Sequence, residues 1–338
     1  MTDITQTPPG PRPGQSRNTA MPGLDTRMLS KYGGLIALVV LLLINIAITP
    51  NFLQLQTLFV NISQVATIAI VAVGMTLVIA TAGIDLSVGA VMAVAGALAP
   101  LIFLSDFAQA YPGLGLAASI IVPILVALLC GLFNGALVAY LGVQPIIATL
   151  IFFISGRGIA QVLTNGNLQT FTHPGFSYLG TGKILGLPFQ GWLVLVIAII
   201  FFYIVNRTLF GRRILAVGGN EKAAKLTGTP VRRVKTGVYV ISAGLSGIAG
   251  LIVVAINSAS DAARIGNLME LDAIASAVVG GTLLMGGKAP IFGAVLGAVI
   301  IQLVKYTLLA NGVADEVALI AKAGIIVLAV YVQQGRKE

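Results

Sequence analysis

Apolar runs of roughly 17–25 residues recur along the chain, separated by short polar breaks. They lie at about 32–49, 58–80, 88–104, 114–139, 145–164, 191–206, 237–257, 268–287, 290–310 and 318–334. Helices of that length match a hydrocarbon layer about 30 Å thick. The pattern therefore predicts an all-α, polytopic membrane protein with about ten transmembrane helices. The first run is too long for a signal-peptide core and lacks a small-residue cleavage site, so it reads as a retained span. Residues 1–31 are rich in Pro, Gly, Ser, Thr and Arg and have no apolar face to bury, which predicts a disordered tail. Residues 32–338 then form the transmembrane domain, with two long loops at about 165–190 and 207–236.

Composition agrees with the pattern: 57% of the 338 residues are hydrophobic and 9% charged, against about 25% charged in soluble domains. The net charge of +9 is a topology signal and not a nucleic-acid footprint, because the basic residues sit at the edges of apolar runs. Starting from a cytoplasmic N-terminus, ten spans put fifteen of the twenty Lys/Arg on the inner side. Eight of these fall in the 207–236 loop, whereas the outer loops hold only Lys183 and Arg264. Both termini are accordingly expected in the cytoplasm. A weak echo relates VGMTL (73–77) to VGGTL (279–283), in the manner of transporter repeats.

Several chemistries are excluded. Lys288 and Lys183 each fail the phosphate-binding pattern GxxxxGK[ST], at Thr282 and Ala289 for the first and at Ser177 for the second. A GxSxG element around Ser246 would need glycine at Ile248; the spacing of Gly244, Gly247 and Gly250 marks close helix packing instead. One histidine and one cysteine, Cys130, build neither a zinc site nor a disulfide framework. No catalytic set is present, and His173 in the outer loop reads as solvated.

The polar residues inside apolar runs carry the remaining information. Asp85, in TAGIDLSVGA (81–90), stands between two spans; Asp85 or Ser87 caps the next helix, lines a polar path, or does both. Arg157, flanked by Gly156 and Gly158, lies within a span, where a charge costs about 2.5–3.5 kcal/mol unless it faces protein or water. An ion pair, with Asp85 for instance, and a cavity-lining role both fit. Asn61, Gln64, Asn134, Gln144 and Gln161 suit sugar hydroxyls as well as interhelical hydrogen bonds. Lys305 and Lys322 are expected to snorkel or to pair with Asp315 and Glu316. Glu270 and Asp272 open a helix at the positive end of its dipole. The stretch 218–228, GGNEKAAKLTG, reads as a short helix bounded by glycines, or as a basic loop drawn to anionic lipid.

At GMTLVIATAGIDLSVGAVMAVAGA (74–97), GLFNGALVAYLGVQPIIATL (131–150), GRGIAQ (156–161), AVGGNEKAAKLTGTPVRRVK (216–235) and ELDAIASAVVGGTLLMGGK (270–288), the chain resembles the permeases of ribose-type sugar ABC importers, especially the galactofuranose branch. Ala289-Pro290 departs from the further glycine that many relatives carry there. The resemblance implies a type II-like importer fold in the bacterial inner membrane, with a second permease, identical or paralogous, alongside. It implies cytoplasmic ATPase subunits that use ATP and magnesium, a periplasmic sugar-binding protein, and no cofactor on this chain. The coupling helix would comprise Gly219, Asn220, Glu221, Lys222, Ala223, Ala224 and Gly228. Asp85, Ser87, Asn61, Gln64, Asn134, Gln144, Arg157 and Gln161 would line or gate the sugar path, and Lys183 with Arg264 would meet the binding protein. The alternative is an ion-coupled secondary transporter in which Asp85 or Arg157 carries the coupling.

Overall fold

A computed structural model describes residues 26–334. Most of the expected tail, and Arg336 with Lys337, lie outside the described residues. In chain order the elements are α1 (Thr26–Ile48), α2 (Leu55–Ala80), α3 (Val88–Phe103), α4 (Asp106–Ala110), α5 (Pro112–Ala139), α6 (Pro145–Leu163), β1 (Gln169–Thr170), α7 (Pro174–Thr181), β2 (Lys183–Ile184), β3 (Leu187–Pro188), α8 (Phe189–Arg207), α9 (Leu209–Gly219), α10 (Glu221–Leu226), α11 (Val231–Asn257), β4 (Ala259–Ser260), α12 (Met269–Val279), α13 (Ile291–Ala310) and α14 (Asp315–Gln334). A short N-terminal unit ends at Gly33, and the remaining chain forms one compact unit.

Among the described residues six helices, α2, α5, α6, α8, α11 and α13, are long and apolar enough to cross a membrane, and two shorter apolar helices accompany them. The expected helix at 268–287 is cut to α12, eleven residues long. Its apolar sequence runs on, but Gly281, Gly286 and Gly287 adopt positive φ and end the helix early. Burial separates the helices into centre and rim. About 78% of the most apolar window of α2 and 72% of that of α11 are buried, against 22% in α8. α2 and α11 are thus the bundle's axis, and α8 faces the surroundings.

Apolar residues alone do not select this packing in lipid, where close van der Waals contact does. Glycines supply it. A Cβ on Gly74 would lie 2.9 Å from Ser242 Cα, one on Gly131 2.5 Å from the Tyr239 carbonyl oxygen, and one on Gly250 2.5 Å from that of Met92. These pairs set the directions as well. α2 and α5 run antiparallel to α11, whereas α3 runs parallel to it.

A repeat emerges that five residues of sequence did not locate. α3 packs on α11, and α12 packs on α2. α5 covers α11 and α3, as α13 covers α2 and α12; α6 lies on α3 and α5, as α14 lies on α12 and α13. The series α2–α3–α5–α6 and α11–α12–α13–α14 are therefore equivalent, with their leading helices antiparallel: an inverted repeat. VGMTL falls in α2 and VGGTL at the end of α12, which are not equivalent places. At the meeting of the halves, α3 and α12 begin side by side midway along the bundle and run apart, about 24 Å and 17 Å long respectively.

Gly250→Val tests the glycine contacts. Overpacking against the Met92 backbone should remove about 1–3 kcal/mol of stability, read as a lower melting temperature and yield of the solubilised protein, while Gly158→Ala, in open space, should leave both unchanged.

Candidate functional site

The first helix break, residues 81–87, turns back into the bundle after α2. Ala82 takes a positive φ of 58° to make the turn, a conformation that alanine adopts only when its surroundings impose it. Asp85 is buried to 1% exposure. Its Oδ1 accepts from the Ser87 backbone N–H at 3.0 Å and the Ser87 hydroxyl at 2.6 Å, and its Oδ2 accepts from the Ser242 hydroxyl at 3.0 Å. Asn134 Nδ2 donates to Ser87 Oγ at 2.8 Å. One carboxylate thus organises the start of α3 and ties it to α5 and α11. The Leu86 N–H donates to Thr149 Oγ1 of α6 at 3.1 Å, and Tyr239 donates to the Ile84 carbonyl at 3.4 Å.

The second break, residues 258–268, enters from the opposite end after α11. Ser258 and Leu268 both have positive φ. Arg157 reaches it from α6 and does not pair with Asp85: its Nη1 donates to the carbonyls of Ala262 at 3.3 Å, Ala263 at 2.9 Å and Ile265 at 3.2 Å. The acid within electrostatic reach of Arg157 is Glu270, in the first turn of α12. The two breaks touch through glycines. A Cβ on Gly89 would lie 2.2 Å from the Gly266 carbonyl oxygen and 2.7 Å from Glu270 Oε2. Three buried atoms around this junction have no hydrogen-bond partner: Asn134 Oδ1, Arg157 Nη2 and Glu270 Oε2.

Because α12 starts inside the bundle, Glu270 and Asp272 do not lie at a solvated helix end. Lys322 of α14 is likewise buried and pairs with Asp272 at 2.7 Å, in place of the expected partners Asp315 and Glu316. Lys305 does reach Asp315, at 3.8 Å. Sequence reasoning missed the Asp272–Lys322 pair because the apolar run predicted a full-length helix; the glycines of 280–287 were the available signal.

The basic end of the bundle carries α9 and α10. α9, expected as loop, has a readable signature: Phe210, Ile214 and Val217 at helical spacing, with Thr208 Oγ1 accepting from the Gly211 N–H at 3.2 Å. α10 falls within the anticipated 218–228 stretch. Asn220 Oδ1 caps it by accepting from the Ala223 N–H at 3.0 Å, Gly228 ends it at φ +77°, and Ala224 is buried beneath. Glu221 bonds Lys235 of α11 at 2.6 Å, while Lys222 and Ala223 are exposed. Leu226, not singled out by sequence, is 89% exposed. Just before α10, a Cβ on Gly218 would sit 1.7 Å from the Ala80 carbonyl oxygen and 2.6 Å from the Gly287 nitrogen. Gly287 N–H itself donates to Ala80 O at 2.9 Å. Backbone meets backbone there, with Gly219 immediately beyond.

The other candidates lie apart from the breaks. Gln144 and Gln161 are exposed near opposite ends of α6. Gln64 accepts a hydrogen bond from Gln302 of α13, and Asn61 is buried in a side cleft. His173 caps α7 by accepting from the Gly175 N–H at 3.1 Å. Lys183 lies over the Phe59 ring at 4.4 Å, and Arg264, almost fully exposed, pairs with Asp261 at 3.5 Å. Among the described residues no cluster of metal-binding side chains occurs.

Residues 57–330 match the family model described as branched-chain amino acid transport system / permease component. The chain belongs to this permease family. Over 310 residues the permease is 39% identical to the galactofuranose transporter permease protein YtfT of Escherichia coli strain K12, covering 89% of each chain. Over 318 residues it is 39% identical to the ribose import permease protein RbsC of the same strain, covering 91% of this chain and 95% of that one. The fructose import permease protein FruF of Bifidobacterium longum is 39% identical over 284 residues, 83% and 78% of the two chains. No solved structure matches. The permease is a transport component of a multi-pass membrane type and not an enzyme, and none of these matches supports the ion-coupled alternative.

The Asp272–Lys322 pair gives a clean test. Lys322→Met alone should destabilise the permease by about 3–5 kcal/mol, because it strands a buried carboxylate, and Asp272→Leu combined with Lys322→Met should recover most of that loss. Melting temperatures of the purified variants measure both.

Proposed function

We propose that this permease is the membrane subunit of an ATP-driven ABC importer in the bacterial inner membrane, passing a monosaccharide from a periplasmic binding protein to the cytoplasm. The observation that carries the proposal is the backbone junction of Gly218, Ala80 and Gly287: it joins α10, on the basic end, to the first helix break and to the loop that follows α12. The basic end is cytoplasmic under the positive-inside rule, and the chain passes the membrane ten times with both termini on that side, α3 and α12 each completing a pass that its break begins. The coupling helix, Gly219 to Gly228, is α10 with the residues that flank it, and it enters a cleft of a cytoplasmic ATPase that holds ATP and magnesium. Leu226 anchors it, and the exposed basic residues around it also meet anionic lipid. A second permease, identical or paralogous, stands alongside.

In this reading ATP-driven closure pulls on α10, and the pull arrives at the breaks, which separate or close as a gate. Asp85, Ser87, Asn134 and Arg157 belong to that gate, joined by Glu270. The orphaned Asn134 Oδ1, Glu270 Oε2 and Arg157 Nη2 offer two acceptors and a donor to sugar hydroxyls once the breaks part. Gln144 and Gln161, outward on α6, and Asn61 with Gln64 on α2 are the neutral amides along the path. The relatives named for galactofuranose, ribose and fructose transport support a monosaccharide substrate. At the opposite end, Lys183 and Arg264 contact acids of the binding protein.

In the reconstituted importer, Leu226→Asp should cut uptake and substrate-stimulated ATP hydrolysis by about tenfold or more, as loss of an interface anchor worth ~2 kcal/mol would. Permease abundance should stay unchanged; intact coupling would remove the docking assignment. Charge reversal at both Lys183 and Arg264 should weaken binding-protein affinity several-fold at low salt and less at high salt, measured by titration against nanodisc-held importer.

A further inference from the structure

α12 is a short rod between two turns that act as hinges. Gly266 and Leu268 take positive φ before it and Gly281 after it, with eleven residues of helix between. Its first turn carries two acids, Glu270 and Asp272. Side chains two residues apart on an α-helix project about 200° apart, so the two carboxylates point to opposite sides of α12. Asp272 faces α14, where it meets Lys322 at 2.7 Å. Glu270 is turned away from that pair, and the cation within its electrostatic reach is Arg157 of α6. Since α6 and α14 are equivalent helices of the inverted repeat, α12 begins between cations from matching helices of the two halves.

Of the two pairs, this structure makes one. Glu270 is 4% exposed, yet its Oε2 has no hydrogen-bond partner, and neither has the buried Nη2 of Arg157. Buried charged groups without partners are costly to keep. A tilt of α12 toward α6 reverses the account: Glu270 gains Arg157, and Asp272 gives up Lys322. Each arrangement makes one buried pair and strands the other, which holds the two close in free energy, as a two-state element requires. Arg157 suits the part, because Nη1 stays on the carbonyls of Ala262, Ala263 and Ile265 while Nη2 can donate to a carboxylate. The far hinge lies at the coupling joint: a Cβ on Gly286 would be 2.9 Å from Gly218 Cα, and the next residue, Gly287, bonds Ala80. We propose that the start of α12 is a two-position switch, in which Asp272–Lys322 and Glu270–Arg157 are made alternately in two conformations of the importer. The proposal rests on reading the breaks as a gate, and gives that gate its two stable positions.

Electron cryo-microscopy of the assembled importer in nanodiscs, once without nucleotide and once trapped with ATP and orthovanadate, reads both pairs directly. One state should keep Asp272 on Lys322; in the other, Glu270 should lie within ion-pairing distance of Arg157 and Asp272 should have left Lys322. Neutral variants of the two pairs should act in opposite directions. Glu270→Gln, which loses the second pair, should cut sugar-stimulated ATP hydrolysis about tenfold, the shift that ~1.4 kcal/mol of lost pairing gives. Asp272→Asn combined with Lys322→Gln, which loses the first pair without stranding a charge, should instead raise ATP hydrolysis in the absence of sugar. Changes of the same sign in both variants would overturn the switch. Breaks that part while Asp272 stays on Lys322 would overturn the switch alone, whereas pairs that exchange while the breaks stay in contact would overturn the gate alone.

Discussion

In a bilayer the backbone carries its own obligation: every N–H and C=O removed from water must find a partner inside the protein. Continuous helices meet it automatically, so each interruption within the bundle has to be supplied with side chains. The break after α2 is served by Asp85, Thr149 and Tyr239, which take up Ser87 N–H, Leu86 N–H and Ile84 C=O respectively. The break after α11 is served by Arg157, one guanidinium nitrogen for three carbonyls. An aspartate answers the donors and an arginine answers the acceptors. The two inverted halves thus carry opposite charges at their breaks, Asp85 taking up a backbone donor of the first and Arg157 three backbone acceptors of the second.

That requirement also reorders the meaning of the intramembrane charges. Asp85 and Arg157 looked like partners because each was a charge without an explanation, and a mutual ion pair would have neutralised both. The geometry gives each its own set of dipoles. Charge is then placed where backbone is irregular, which makes the irregular segments both expensive to disturb and polar enough to matter for transport. Asp272 and Lys322 follow the same logic one turn further along: a pair close enough to offset its own burial holds the short α12 to α14.

Legibility from sequence followed the physical range of the interactions. Helix existence was readable because apolar runs and their basic flanks are local properties, and α10 was readable from Asn220, the alanines and Gly228. The shortness of α12 was not, since MELDAIASAVVGGTLLMGG stays apolar beyond Val279 and only the positive φ of Gly281, Gly286 and Gly287 ends the helix. Glu270 and Asp272 do open α12 as expected, but from inside the bundle, and that position hid the partner of Lys322. α9 was obscured for the opposite reason, because its basic residues masked an apolar spacing of four and three. The inverted repeat lives in which helices touch, and five residues of sequence similarity had pointed elsewhere.

The glycine junction at 218 has a mechanical meaning. Contacts made by long side chains yield when pushed, because rotamers turn and absorb displacement. Where Gly218, Ala80 and Gly287 meet there are no such torsions, only main chain against main chain. Such a joint has no backlash: movement on one side is handed to the other at full amplitude, and any side chain inserted there would introduce slack or jam it.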